Sequence, residues 1–247
     1  MVRRDFERRF VGSTAGWIWG LVHPLVQLGV WSFVFHYCLQ MRVPAGQGTD
    51  NYPVYLFCGY LPWMLFQDVV QRSATSLVEN ANLITKTVFP SEMIPVSIFL
   101  SALVNHILTV MLALAAVAIW GGGLSPMVTL LILYWIPLAL LAVGIGWIVS
   151  SFQVYLRDTA QVTLVVLTLW FWLTPIFMTA AEVPERFRFL ILFNPLSYAV
   201  TGYRERLLAE TPLNWTEFGI LFLFSAAVFS AGGAIFRQLK RGFADVL

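Results

Sequence analysis

Few side chains in or beside the apolar stretches of this chain can ionise: Asp68, His106, Arg157 and Asp158. They are scattered, and their spacing makes no general acid–base pair and no nucleophile with its base. The sequence holds no G-x-x-x-x-G-K-[ST] phosphate loop, so the chain lacks that route to ATP hydrolysis. It holds no HExxH, no paired Cys or His ligand spacing and no GxSxG. Cys38 and Cys58 make neither a disulfide framework nor a metal site, and each reads as a small packing residue. A lone His106 on an apolar helix reads as a hydrogen-bonded packing residue. Proton- or ion-coupled transport needs titratable groups at membrane depth, and the apolar segments offer almost none.

Docking is the first chemistry that spacing does support. The polar stretch Glu79-Asn80-Ala81-Asn82-Leu83-Ile84-Thr85-Lys86-Thr87-Val88-Phe89-Pro90-Ser91-Glu92 lies between two long apolar segments. It is too polar for lipid and too short for a domain. Glu79 and Asn80 predict the start of a short helix, with a carboxylate and an amide near its first turn. Leu83, Ile84 and Val88 give it one apolar side, and Pro90 and Pro95 stop it before the next span. A short amphipathic helix of mixed charge at a membrane face suits docking to a soluble partner. The same residues also suit a plain connector.

Stacking is the second. Tyr52, Tyr55, Gly59, Trp63 and Phe66 recur at steps of three and four, which is one face of a helix. Trp31 and Phe35 precede them, and Trp170, Phe171, Trp172 and Phe177 follow later in the chain. Aromatic planes pack against the C–H faces of sugar rings, while Tyr O–H and Trp N–H donate hydrogen bonds. Lipid-facing bulk and interfacial aromatic belts account for the same residues equally simply.

The elements that must position these groups are helices in a membrane. Of 247 residues, 59% are hydrophobic and 11% charged, a balance that a soluble surface does not tolerate. Spans of roughly 20 residues leave room for about six helices and short loops. The fold expected is all-α and polytopic, a single domain over residues 1–247. The spans predicted are Trp17–Leu39, Tyr52–Gln71, Val96–Trp120, Met127–Ser150, Val162–Ala181 and Phe218–Phe236. Pro24 bends or starts the first span, and Thr174-Pro175 breaks the fifth. Gly121–Pro126 forms a tight turn, and Gln153–Gln161 a short inner loop. Residues 1–16 read as an amphipathic helix on the membrane, with Phe6, Phe10 and Trp17 on one side and arginines on the other. Interleaved Asp5 and Glu7, and the absence of a small-residue cleavage site, set this segment apart from a signal peptide. Within 182–214, an apolar run from Phe187 to Phe193 is too short to cross, and Asn194-Pro195 breaks it. Two short re-entrant or interfacial helices over 184–210 are expected at the outer face.

Positive charge sets the orientation. Arg3, Arg4, Arg8, Arg9, Arg72, Lys86, Arg157, Arg237, Lys240 and Arg241 fall in the proposed inner segments. The outer segments carry Arg42, Arg186, Arg188, Arg204 and Arg206, matched by Glu182, Glu185, Glu205 and Glu210. Both termini are therefore expected inside. The net charge of +2 and the lack of a basic aromatic patch argue against nucleic acid.

Nearly the whole chain resembles the ABC-2 type permeases that export polysaccharides, the O-antigen and teichoic-acid group. The residues that carry the resemblance are Arg9–Ser13, Gly16–Trp19 and His23-Pro24-Leu25, then Asn80, Asn82-Leu83-Ile84, Lys86 and Phe89-Pro90. Arg157-Asp158, Thr174-Pro175-Ile176, Asn194-Pro195-Leu196 and Tyr203-Arg204 complete the ordered set. The resemblance implies a homodimer of six-helix permeases with two ATP-binding cassette subunits, which hold the ATP and magnesium, so this chain carries no cofactor and is not itself an enzyme. It implies that Glu79, Asn80, Asn82, Lys86, Phe89, Pro90 and Glu92 belong to a coupling helix seated on the ATPase. Arg3, Arg4, Arg8, Arg9 and Phe10 would belong to an interface helix. The path would be lined from among Trp31, Phe35, Tyr55, Trp63, Phe66, Trp170, Trp172 and Phe177. The implied cargo is a glycan on undecaprenyl diphosphate in a bacterial inner membrane. The teichoic-acid or capsule branch, and a drug- or lipid-exporting permease, are the alternatives. Phe10 departs from a tyrosine found in many relatives.

Overall fold

The computed structural model describes residues 19–86, 89–120, 126–179, 182–209 and 211–246. The expected interface helix, with Arg3, Arg4, Arg8, Arg9 and Phe10, lies outside the described residues, as do Thr87, Val88 and most of the Gly121–Pro126 turn. The described residues are helices and their connections. They run α1 (Trp19–Trp31), a π-helical turn (Ser32–Cys38), α2 (Tyr52–Glu79), α3 (Ala81–Lys86) and α4 (Met93–Trp120). A 3-10 turn (Pro126–Leu130) leads into α5 (Leu131–Tyr155), followed by α6 (Thr159–Leu173). Then come α7 (Arg188–Leu192), α8 (Pro195–Leu208), α9 (Trp215–Leu239), a 3-10 turn (Lys240–Gly242) and α10 (Phe243–Val246).

Three of these are long and apolar enough to cross a membrane: Met93–Trp120, Pro126–Tyr155 and Trp215–Gly242. Helix α2 is as long as α4, but Gln67, Asp68, Gln71 and Arg72 interrupt its apolar character. It is the hub of the bundle and packs against α1, α4, α5, α6 and α8. Burial on several sides explains how a helix with such polar residues is held in place. Helix α9 packs along α5 at a point where backbones meet. A Cβ on Gly232 would overlap the Gly144 carbonyl, and one on Gly144 would lie 2.7 Å from the Phe229 Cα. Between helices in lipid, such close backbone approach supplies the dispersion contact that apolar burial does not.

Several boundaries differ from the sequence expectation. Helix α2 begins where expected, because the Asn51 side chain accepts from the Val54 N–H at 3.3 Å and Pro53 sits in the first turn. It does not stop at Gln71 but runs two further turns. Asp68 is therefore in the body of the helix, where it pairs with Arg72 at 3.5 Å, and not near its end. The loop expected over Gln153–Gln161 shrinks to Leu156-Arg157-Asp158. Gln153 bridges it, donating to the Arg157 carbonyl at 2.8 Å and accepting from the Ala160 N–H at 2.6 Å. Helix α6 ends at Leu173, so Thr174-Pro175 breaks the fifth span as expected, although the helix opens at Thr159 and not at Val162. Pro95 does not stop a helix, because it lies in the first turn of α4, where its missing N–H costs nothing. The break at Asn194-Pro195 is as expected, with Pro195 opening α8.

Candidate docking segment and aromatic path

The polar stretch lies at the end of the bundle where α2, α5 and α9 finish. Of the two residues expected at the start of the short helix, Asn80 is there and Glu79 is not. Glu79 is the last residue of α2 and Asn80 its cap, with the Asn80 side-chain amide donating to the Ser76 carbonyl at 2.8 Å. The Asn80 carbonyl in turn accepts from the N–H groups of Leu83 and Ile84, at 2.9 and 3.2 Å, and so launches α3. Asn80 is thus the joint between the two helices. An amide-bearing side chain caps either end of a helix, and here the side chain closes α2 while the carbonyl opens α3. Glu79, Asn82 and Lys86 are exposed, Leu83 and Ile84 are half-buried, and no residue of α3 is fully buried. Phe89 is half-buried and Pro90 exposed.

Glu92 is committed within the chain. The Lys240 ammonium donates to both its carboxylate oxygens, at 2.7 and 2.8 Å, and the Trp147 indole N–H donates to its carbonyl at 3.0 Å. Partial burial pushes the Glu92 carboxyl up, but the Lys240 bonds and charge, with Arg237 nearby, outweigh it and hold the group below its ordinary value. The tail after Arg237, read from sequence only as polar, supplies that partner. No local pattern in the sequence links position 92 to position 240.

At the opposite end, the separate motifs of the sequence converge. The Asn194 side-chain oxygen accepts from the Leu196 N–H at 3.1 Å and from the Trp170 indole at 2.9 Å, and its amide donates to the Thr174 hydroxyl at 3.0 Å. Arg204, counted among the outer-segment cations, is buried. Its guanidinium donates to the carbonyls of Tyr55 at 3.4 Å, Pro175 at 2.9 Å and Ile176, and lies 3.8 Å from the Tyr55 ring centre. Tyr203 shares a 2.9 Å hydrogen bond with His106, which is the packing role expected of a lone histidine. Thr174-Pro175-Ile176, Asn194-Pro195 and Tyr203-Arg204 thus form one knot that fixes the ends of α6 and α8 against α2.

Around this knot the aromatic residues form a continuous cluster. Trp31 stacks on Phe171 at 5.0 Å and meets Phe177 edge-on at 5.3 Å. Phe35 stacks on Phe177 at 4.4 Å, as does Trp172 at 5.3 Å. Phe66 meets Trp170 at 5.2 Å, and Trp63 meets Phe171 at 5.4 Å. The cluster has two layers. Tyr55, Trp63, Phe66 and Phe177 are enclosed, whereas Trp31, Phe35 and Trp170 are half-buried and Trp172 is 60% exposed. Only the outer layer offers ring faces to a ligand in this arrangement.

The ionisable candidates are not assembled into a catalytic constellation. Asp68 and His106 line one cavity of about 180 Å³ together with His23, Gln67, Gln71 and Asn105. Arg157 and Asp158 lie at a separate groove between α5 and α6. Cys38 is exposed and Cys58 buried, and neither is in a disulfide.

Relatives match along the full length. The O-antigen export system permease protein RfbA of Klebsiella pneumoniae is 29% identical over 252 residues, covering 100% of this chain and 93% of the relative. The protein of the same name from Myxococcus xanthus is 27% identical over 258 residues, covering 99% and 93%. The polysialic acid transport protein KpsM of Escherichia coli is 23% identical over 238 residues, covering 95% and 90%. The family model of the ABC-2 type transporter matches residues 1–208. With its all-helical bundle, its apolar helices and its exposed polar joint between α2 and α4, the chain belongs to the ABC-2 type transporter family.

Proposed function

We propose that this chain is the membrane-spanning permease of a polysaccharide exporter driven by a separate ATP-binding subunit. The observation that carries the reading is the full-length match to relatives named for O-antigen export and polysialic acid transport. Two copies form the permease, each crossing the bacterial inner membrane six times, with both termini in the cytoplasm. α1 with its π turn, α2, α4, α5, α6 and α9 are the crossings, and α7 and α8 are re-entrant from the outer face. The cargo is a glycan on undecaprenyl diphosphate.

In the transport step, ATP binding on the partner closes two cassette subunits against each other. Their movement pushes α3 through Glu79, Asn82, Lys86, Phe89 and Pro90. The push passes through Asn80 into α2 and through Glu92 into α4, and the bundle turns. The glycan then moves outward past Trp172, Trp31, Phe35 and Trp170, whose faces stack on successive sugars. Tyr55, Trp63, Phe66 and Phe177 pack behind them and set their orientation. The chain supplies guidance and movement, and the ATP and magnesium belong to the partner.

Deletion of the gene in its host tests the reading. The expected result is loss of surface polymer with lipid-linked glycan trapped inside the cell, whose composition identifies the cargo. Unchanged surface polymer rejects polysaccharide export in favour of a drug or lipid cargo.

A further inference from the structure

We infer that Lys240 and Phe243 are positioning residues for the docking segment, clamping it to the ends of α5 and α9 so that a partner's push reaches α9 as well as α4. The inference rests on the reading of residues 79–92 as the docking segment.

Helix α3 has six residues and none of them is fully buried. A helix this short does not hold itself in water, because the cost of nucleation is not recovered over so few turns. Something outside it must fix its orientation. The C-terminal tail does so in two ways, and Phe243 anchors the tail itself. Lys240 holds both carboxylate oxygens of Glu92, at the junction of the docking segment with α4. Helix α10 packs directly against α3. Phe243 is 1% exposed, set between Phe236 at 5.5 Å and Tyr155 at 6.1 Å. The tail is itself fixed, because the Tyr155 hydroxyl donates to the Leu239 carbonyl at 2.7 Å. Gly242 permits this approach, since a Cβ there would lie 2.6 Å from the Tyr155 hydroxyl. Trp147 completes the frame from α5 through the Glu92 carbonyl.

The mechanical consequence follows from the joint at Asn80. Without the tail, the segment keeps the joint at Asn80 and the Trp147 bond to the Glu92 carbonyl but loses the Lys240 and α10 contacts, and a push bends it instead of moving α4. With the tail, α3, the residues around Glu92, the end of α5 and the end of α9 move as one body.

The test uses the full chain with its co-purifying ATP-binding subunit, as Lys240→Glu, Glu92→Lys, the double swap, and Phe243→Ala. Hydrogen exchange over residues 81–92, measured on the permease alone, is expected to rise in each single variant and to return to its original level in the swap. With the complex still assembled, polymer export is expected to fall about ten-fold in the Lys240→Glu variant, the size of a modest coupling energy, and to recover in the swap. Unchanged exchange, unchanged export or a swap that fails to restore either one overturns the clamp. Should the charge reversals not insert, Lys240→Gln against Lys240→Arg gives the same comparison, and equal export from the two also overturns it. Failure of any ATP-binding subunit to co-purify with the unsubstituted chain counts instead against the docking reading itself.

Discussion

At residue scale, Arg204 shows how a charge can serve as a structural fork. Its flat guanidinium reaches carbonyls on both α2 and the segment after α6, and its face covers the Tyr55 ring. The Pro175 and Ile176 carbonyls follow the end of a helix, where backbone acceptors lack helical partners. Arg204→Met removes the donors and leaves those acceptors buried, and a loss of about 3 kcal/mol follows from hydrogen bonds of this charged kind. Arg204→Lys is expected to recover little of it, because an ammonium cannot span the fork. The thermal midpoint in detergent reads both changes, and a Met variant that melts with the parent sinks the assignment. The aromatic residues call for a paired comparison. Trp63 is enclosed and donates to Gln67 at 2.6 Å, so Trp63→Ala opens a cavity and costs about 3–5 kcal/mol. Trp172 is exposed, so Trp172→Ala is expected to leave the midpoint in place and to lower export by the assembled complex. Undiminished export from the Trp172 variant removes it from the path.

At element scale, what the sequence made legible was local. The start of α2 at Asn51–Pro53 and the start of α8 at Asn194-Pro195 were readable because a cap and a proline act within a few residues of themselves. The end of α2 was not, because Gln67 through Arg72 look like a membrane boundary until α4, α5 and α6 are seen to surround that helix. The Glu92–Lys240 pair and the Arg204 carbonyl fork join positions far apart in the chain, and no periodicity announces such contacts. The aromatic stripe on α2 was legible as a stripe, but which of its rings are enclosed depends on α6 and on the segment that carries Phe177. The Glu92–Lys240 pair also gives the tail a pH dependence whose sign is fixed. The Glu92 carboxyl is depressed in the folded chain, so its contribution is complete above the ordinary carboxylate range and is lost as pH falls through the lowered value. Hydrogen exchange of residues 81–92, corrected for its intrinsic pH dependence, is expected to hold steady near neutrality and to rise in acid below about pH 4.5. A Glu92→Gln chain is expected to show the raised exchange at all pH values. Parent and variant behaving alike in neutral solution would show that the pair does not hold the tail.

At the scale of the whole molecule, function depends on which groups share a face of the membrane. Helix α2 spans 28 residues, about 42 Å at the α-helical rise, which exceeds the roughly 30 Å hydrocarbon core. On the proposed six-crossing reading, its two ends stand on opposite sides. The first end lies beside the Ser32–Cys38 turn, where His36 stacks over Tyr52 at 5.9 Å. The second end carries Asn80 and α3, and the packing of α10 on α3 ties the C-terminal tail to that same side. Positive charge agrees with the proposed orientation: Lys86, Arg157, Arg237 and Arg241 are all exposed around the second end, as expected of a cytoplasmic face. The proposed ATP-hydrolysing partner would meet the chain there, the one place among the described residues where an exposed short helix and a fixed tail stand together. In intact cells, a membrane-impermeant maleimide is expected to label exposed Cys38 and to spare buried Cys58. A Lys86→Cys variant is expected to gain label at its new position only after the inner membrane is opened, and a reporter fused after Leu247 to be active only as a cytoplasmic one. Labelling of Lys86→Cys from outside reverses the orientation. A reporter and a position 86 on opposite sides break the contact between tail and docking segment on which the inner face is built.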